Sequence, residues 1–168
     1  MDTFFETRER KIYYETFEVY HPAIGTIRYV NGQFVDKLFT IESDADRNAG
    51  QIVTFKAASF VQTPPSISED GVLSITNQLG RIGSQMKQYM KAIAAYRDLN
   101  PNTTPAEYIL REYLQGQDQP AGIVKLSISG VVINNDAVAI TASDDNANSI
   151  NVARRYRAQD FPGLKVIS

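Results

Sequence analysis

The sequence lacks several residues on which familiar chemistry depends. It has no cysteine and no tryptophan, and His21 is its one histidine. Disulfide scaffolds, thiolate nucleophiles and histidine-rich metal sites are therefore excluded. No window approaches the run of about 20 apolar residues that a membrane-spanning helix needs. The first ten residues include Glu6, Arg8 and Glu9 and lack the apolar stretch of a signal peptide, so we expect a cytoplasmic protein.

The sequence also lacks an excess of either charge. Its 17 Lys+Arg stand against 19 Asp+Glu, which gives a formal net charge of −2. Such a balance offers no overall attraction to a phosphate backbone or an anionic membrane, so nucleic acid is a disfavoured partner. The 168 residues, 43% of them hydrophobic, suffice to build a core without disulfides or a structural metal.

Motifs for catalysis and metal binding are weak. The run 44–50 resembles the start of a calcium-binding loop, but it lacks the glycine and the bidentate glutamate that such a loop requires. The segment 80–84 lacks the lysine and the spacing of a phosphate-binding loop. Glu107 and Glu112 could form an acid–base pair, yet no nucleophile, base and orienting group can be named together. We expect no enzyme, cofactor or metal site.

Alternating apolar residues predict a mainly antiparallel sheet. A long strand at 11–20 ends at His21-Pro22, because proline cannot donate to a strand ladder. Asn31-Gly32 predicts a tight hairpin with a type I′ turn. Further strands are predicted at 38–41, 51–57, 72–76, at 106–114, where a helix is the alternative, and in a second hairpin of 124–129 with 138–142.

Apolar residues at three- and four-residue spacings predict one helix at 77–96. They are Leu79, Ile82, Met86, Tyr89, Met90 and Ile93. Strands with a single helix indicate an α+β domain at 11–153, built as an antiparallel β-barrel or sandwich with a central packed helix. An N-terminal arm at 1–10 and an extended C-terminal tail at 154–168 flank this domain.

The C-terminal tail contains a basic cluster, Arg154, Arg155 and Arg157 around Tyr156. Arginines can bind phosphate, stack on aromatic rings or pair with carboxylates of another subunit. The near-neutral charge of the chain and the enrichment of Arg and Tyr at interfaces favour a protein contact. A solvated tail is the alternative.

The order of short motifs along the chain resembles a family of small proteins encoded among the tail genes of tailed bacteriophages. The likeness covers roughly 5–164. The motifs that carry it are His21-Pro22, Thr26–Asn31, Phe55–Phe60, Val72–Asn77 before the helix, Arg111–Leu114, Arg155-Tyr156, and Phe161-Pro162-Gly163-Leu164.

This resemblance implies a minor tail protein of the tail tip or baseplate, similar to hub-side proteins whose β-barrel and helix are related to the tail-tube fold. It implies assembly in the host cytoplasm as a threefold or sixfold ring. The implied partners are the tube or distal tail protein, the hub and the tape measure, with DNA only passing through a lumen. Some hub-like relatives hold an iron–sulfur cluster through cysteines, which this chain lacks.

Under this resemblance, loops and terminal arms would contact neighbouring subunits. The polar loops 42–50 and 143–149 are candidates, and the predicted interface residues at the termini are Phe4, Phe5, Arg154, Arg155, Tyr156, Arg157, Phe161 and Leu164. Two alternatives stay open. One is a transient assembly adaptor or chaperone, and the other is a ligand-binding β-barrel whose aromatic residues line a pocket.

Overall fold

The computed structural model describes residues 12–64, 66–67, 73–80, 83–133 and 138–144. These residues form an α+β fold in which strands predominate. The elements are β1 Tyr13–His21, β2 Gly25–Asn31, β3 Lys37–Thr40, β4 Ile52–Ala58, β5 Phe60–Gln62, β6 Ser66–Ile67, β7 Leu73–Leu79, α1 Gly83–Leu99, β8 Glu107–Leu114, β9 Gly122–Ile133 and β10 Val138–Ser143.

All the described strands belong to one ten-stranded sheet. Its hydrogen-bonded order is β3-β4-β2-β1-β8-β9-β10-β7-β5, and β6 lies beside β7. Strands β2 and β4 run parallel, and the other described pairs are antiparallel. The sheet has two ends, at β3 and β5, so a closed barrel is not shown.

The sheet nevertheless curls strongly, because the chain connects its two ends almost directly. Only Ser59 separates β4, near one end, from β5 at the other. Asn31 at the end of β2 accepts a hydrogen bond from the N–H of Phe60 on its Oδ1 at 3.1 Å. The N–H of Gly32 donates to the carbonyl of Ala58 at 2.9 Å. These contacts hold the start of β5 against the end of β2.

One main core fills the inside of this curl. Phe17 lies at its centre, with ring centroids 4.9 Å from Phe60, 5.4 Å from Tyr29 and 5.6 Å from Tyr108. Helix α1 adds Met86, Met90 and Ile93, which its 3.6-residue period places on one face. The helix begins at Gly83, later than the predicted 77–96, because Leu73–Leu79 continues as β7 with every second side chain buried.

The opposite face of β1 and β8 is also covered. Phe17 pairs with Leu110 on the core side, whereas Thr16 pairs with Arg111 on the other side, since successive side chains alternate across a strand. There β3, the start of β4 and the connection between them lie over the sheet. A second core of Val30, Ile41, Phe55 and Tyr113 forms beneath this layer, with Tyr14 and Phe39 packed against it.

The prediction of a hairpin around Asn31-Gly32 is wrong. A type I′ turn needs positive φ at both central residues, but only Gly32 has it, at 64°, while Asn31 is the last residue of strand β2. After Gly32 the chain crosses to β3 instead of returning along β2. The hairpin formed is β1 with β2, closed by the hydrogen bond from Ile24 N–H to the His21 carbonyl at 3.0 Å.

Most other strand predictions are confirmed. Strand β1 ends at His21 before Pro22, and β3 pairs with β4 as two antiparallel strands. The ambiguous segment 106–114 is strand β8, paired on both sides. Strands β9 and β10 form the second hairpin, with a register shift between Thr141 and Ala142.

Candidate functional site

Charged side chains gather on the sheet face opposite the main core. Three come from strands, namely Glu18 of β1, Arg28 of β2 and Arg111 of β8, and two come from the connection between β3 and β4, namely Glu42 and Arg47. We call these five residues the ion-pair cluster. The Glu18 and Arg111 side chains are each 1% exposed, so both charges lie inside the protein.

Arg111 is the centre of the ion-pair cluster. Its Nε donates to Glu42 Oε2 at 2.7 Å, and its Nη2 donates to Glu42 Oε1 at 2.9 Å. Its Nη1 donates to Glu18 Oε2 at 3.1 Å. A guanidinium presents its donors in a rigid planar fork, which suits simultaneous contact with two carboxylates.

The outer part of the ion-pair cluster balances the remaining charge. Arg28 Nε donates to Glu18 Oε2 at 2.7 Å, and Arg47 Nε lies 4.0 Å from Glu18 Oε1. Arg47 also pairs with Glu107 of β8, and its guanidinium lies 3.8 Å from the centre of the Tyr20 ring. With the partly exposed Glu107 included, three arginines face three glutamates, so the charges of this network compensate one another.

Electrostatic interactions keep Glu42 and Arg111 ionised. Burial by itself would raise the pKa of Glu42, but the hydrogen bonds and the charge of Arg111 outweigh burial and hold that pKa below its ordinary value. Burial opposes the charge of Arg111 too, yet Glu42 and Glu18 raise its pKa. Because Glu42 and Arg111 are charged and hydrogen-bonded to each other, the arrangement is suited to holding structure rather than to proton transfer.

The ion-pair cluster fastens a surface loop to the sheet. Glu42 and Arg47 both belong to the polar loop 42–50, and Arg28 Nη2 donates to Asn48 Oδ1 at 2.7 Å. Lys125 of β9 lies 3.3 Å from Asp46 at the exposed side of the same loop. The resemblance to tail proteins made loop 42–50 a candidate contact for neighbouring subunits. The structure shows it held in place on its inner side, with an exposed outer side that includes Asp44 and Asp46.

The other predicted contacts lie in the terminal segments and in the loop 143–149. All eight predicted interface residues, at positions 4–5 and 154–164, lie outside the described residues. Of the loop 143–149, only Ser143 and Asp144 are described.

His21 is a packing residue, as its position before Pro22 suggests. It is fully buried, its Nδ1 accepts a hydrogen bond from Ala23 N–H at 3.2 Å, and its ring meets Tyr96 edge-on at 5.3 Å. Burial, with a contribution from Arg97, lowers the pKa of His21 and keeps the ring neutral. Within the described ranges, no group of three or more acidic or histidine residues is placed to hold a metal ion. No helix in this part of the chain has the length and apolar character needed to cross a membrane.

Both ends of the sheet expose apolar side chains. At the β3 end, Leu38 and Ile52 are 67% and 68% exposed and lie on the same face of the β3–β4 pair. At the β5 end, Val61 of β5 is 66% exposed and Ile67 of β6 is 72% exposed. Large apolar side chains exposed at the ends of a sheet are typical of surfaces that another protein covers.

Sequence reasoning missed the ion-pair cluster. Glu18 and Arg111 lie in strands that consist mainly of aromatic and aliphatic residues, and a charge within such a strand is the available signal of a buried ion pair. The signal does not identify the partner, because Glu42 lies 69 residues from Arg111 along the chain.

A family model matches this chain. It is described as "Domain of unknown function (DUF1833)" and covers residues 2–156. The match includes every strand described here and α1. The search of curated proteins found no match.

Proposed function

We propose that this chain, which belongs to the DUF1833 family, is a structural protein of a bacteriophage tail tip. Copies of it would form a ring that bridges the tube or distal tail protein and the hub. The chain would assemble in the host cytoplasm and remain in the virion. The proposal starts from the ordered motifs that resemble small tail proteins, and two features of the structure support it.

The first and main support is the open sheet with apolar side chains at both ends. A closed ring needs a heterologous contact, in which one surface of each copy meets a different surface of the next. The two ends of this sheet are formed by different strands and are therefore different surfaces. Leu38 and Ile52 lie at one and Val61 and Ile67 at the other. At the β3 end, the outer edge of β3 has no strand partner among the described residues and could pair with a strand of another copy.

The second support is the rigidity that the ion-pair cluster gives to loop 42–50. A loop that contacts a neighbour loses less conformational entropy on binding when it is already held in place. Glu42 and Arg47 fix its inner side, which leaves Asp44 and Asp46 directed to the surface. We further propose that the curled sheet with α1 in its core is barrel-like, as the resemblance to tail-tube folds implies.

The deciding experiment is quantitative mass spectrometry of purified particles of the phage that encodes this chain. Peptides of this chain would be compared with those of the major tube protein. We expect a small, reproducible number of copies per particle, and this number would indicate the symmetry of the ring. Absence from the particle would contradict the proposal and favour a transient assembly adaptor.

A further inference from the structure

An apolar cleft opens between helix α1 and strand β9. Its volume is about 350 Å³. Its apolar lining includes Met90, Ile93 and Ala94 from the helix and Ile128, Val131 and Ile133 from β9. The exposed cations Lys91 and Arg97 also line it, and neither forms a salt bridge with any described residue. The cleft therefore combines an apolar floor with a positively charged rim.

A turn between β2 and β3 protrudes from the surface, whereas the cleft is recessed. Between β2 and β3 the chain turns through residues 32–36, and at its tip Phe34 is fully exposed and Val35 is 63% exposed. The turn is anchored on both sides. Gly32 N–H donates to the Ala58 carbonyl at 2.9 Å, and Asp36 Oδ1 accepts a hydrogen bond from Ala57 N–H at 2.8 Å. We call Phe34 and Val35 the knob.

A fully exposed phenylalanine on an anchored turn is unfavourable for an isolated chain, since burying such a side chain is worth about 1.5–3 kcal/mol. The apolar lining of the cleft is an environment in which the Phe34 side chain could be buried. Its volume of about 350 Å³ falls within the range of pockets that bind compact apolar groups. Asp36 next to the knob is negative, exposed and without a salt bridge among the described residues, whereas Lys91 and Arg97 at the cleft are positive.

We propose that the knob of one copy of this chain inserts into the cleft of a second copy, with Asp36 facing Lys91 and Arg97. This inference rests on the proposed function, since it adds a second contact between neighbouring copies of the ring to the one proposed for the sheet ends. Each copy carries one knob and one cleft, so the contact is heterologous and joins copies head to tail. Phe34 is the anchor, and the charged residues orient it.

The absence of cysteine from the chain makes the contact directly testable by crosslinking. Full-length Val35→Cys places a thiol on the knob and leaves Phe34 in place, while Ala94→Cys places one in the cleft of a second preparation. A short bismaleimide should join the two variants when they are mixed and should join neither variant to itself. The matched control is Ala95→Cys, because Ala95 is exposed beside Ala94 on α1 but does not line the cleft.

Affinity measurements test the roles of the two groups. In sedimentation of the full chain, Phe34→Ala should weaken self-association by about tenfold or more, since aromatic anchors dominate interface energies. Asp36→Asn keeps an oxygen for Ala57 N–H but removes the charge, and it should weaken association a few-fold at low salt. Leu99→Ala removes an exposed apolar side chain outside the knob and the cleft and should change nothing.

Three results would overturn the inference: no crosslink in the Val35→Cys and Ala94→Cys mixture, an equal crosslink with Ala95→Cys, or unchanged association of Phe34→Ala. The proposed function is judged separately, by the presence of the chain in the particle. A chain found in particles without a knob–cleft crosslink contradicts this contact alone. A crosslinked chain that is absent from particles contradicts the tail role alone.

Discussion

Arg111 and Glu42 form a two-pronged ion pair, with Nε 2.7 Å from Oε2 and Nη2 2.9 Å from Oε1. The pair joins the middle of strand β8 to the loop that follows β3. Glu18 binds the third donor group of the same guanidinium at 3.1 Å. The loop and the sheet beneath it are therefore connected by charges that water hardly reaches.

Replacing Arg111 should destabilise the fold strongly. Arg111→Met keeps a long side chain but leaves Glu42 buried without its main partner, and it removes one partner of Glu18. Breaking a buried ion pair on one side costs about 3–5 kcal/mol, because the remaining charge stays desolvated. Urea titration followed by circular dichroism should show this loss in the free energy of unfolding.

Lys125→Met is the matched control for that variant. Lys125 also pairs with a carboxylate of loop 42–50, Asp46, but the two side chains are 48% and 69% exposed. Exposed pairs contribute about 0–1 kcal/mol. Equal losses in the free energy of unfolding of the two variants would mean that the buried Arg111–Glu42 pair contributes no more to stability than an exposed pair.

Stability should fall with acid in a window set by His21. Burial, aided by Arg97, lowers the pKa of His21 in the folded chain, whereas the unfolded chain has the ordinary value of 6.5. Below about pH 6.5 the unfolded state therefore binds more protons, so the stabilisation present above that pH is lost as pH falls toward the folded-state pKa. Unfolding free energies at pH 7.5, 6.5 and 5.5 should decrease in that order.

His21→Asn separates this effect from other titrations. Asparagine Oδ1 can accept the hydrogen bond from Ala23 N–H that His21 Nδ1 accepts, but asparagine does not titrate. The variant should show a flatter stability profile between about pH 7.5 and 5.5. Glu42 also has a lowered pKa, so its loss of stabilisation lies below its ordinary value of 4.5, outside this window. An unchanged slope in His21→Asn would assign the acid sensitivity to another group.

Local patterns predicted the elements of this fold better than their arrangement. Strands β9 and β10 alternate with period two and follow one another along the chain, so both the strands and their pairing could be predicted. Strand β2 was also predicted, but its parallel partner β4 depends on contacts that local turn chemistry does not contain. Asn31-Gly32 has the composition of a hairpin turn, yet Asn31 uses its side chain to hold Phe60 instead.

The candidate site was less predictable than the fold for a similar reason. Hydrophobic periodicity identifies apolar residues that share one face of a helix or strand. The ion-pair cluster instead consists of charged residues that are distant in sequence. Glu18 and Arg111 are 93 residues apart. Only the pairing of β1 with β8 and the folding of loop 42–50 over both strands bring these charges together. The knob is visible in the sequence as Phe34-Val35, but its exposure follows from the chain crossing to β3.

Gly32→Ala should test the turn that replaces the predicted hairpin. Gly32 has a φ of 64°, and a Cβ added there would meet no atom within 4 Å, so the effect is conformational rather than steric. We expect a loss of about 1 kcal/mol in the free energy of unfolding by urea titration.

Gly130→Ala is the comparison for Gly32→Ala. Gly130 lies in strand β9, where an added Cβ would lie 3.8 Å from Thr141 Cβ, an ordinary contact. Alanine restricts the unfolded chain, so this variant should be neutral or slightly stabilising. A loss as large as that of Gly32→Ala would show that glycine removal as such, and not the positive φ, is responsible.

Deleting 154–168 should separate folding from assembly. The described core residues lie between Phe17 and Ala142, so the truncated chain should keep its circular dichroism spectrum and its free energy of unfolding. Under the proposed tail-tip role, it should fail to co-purify with the tube, distal tail or hub protein when they are expressed together, because the deletion removes Tyr156 and the basic cluster around it. The triple variant Arg154→Gln, Arg155→Gln, Arg157→Gln isolates the contribution of charge. Loss of folding on truncation would mean that the tail is part of the core, and unaffected co-purification would place the contacts elsewhere.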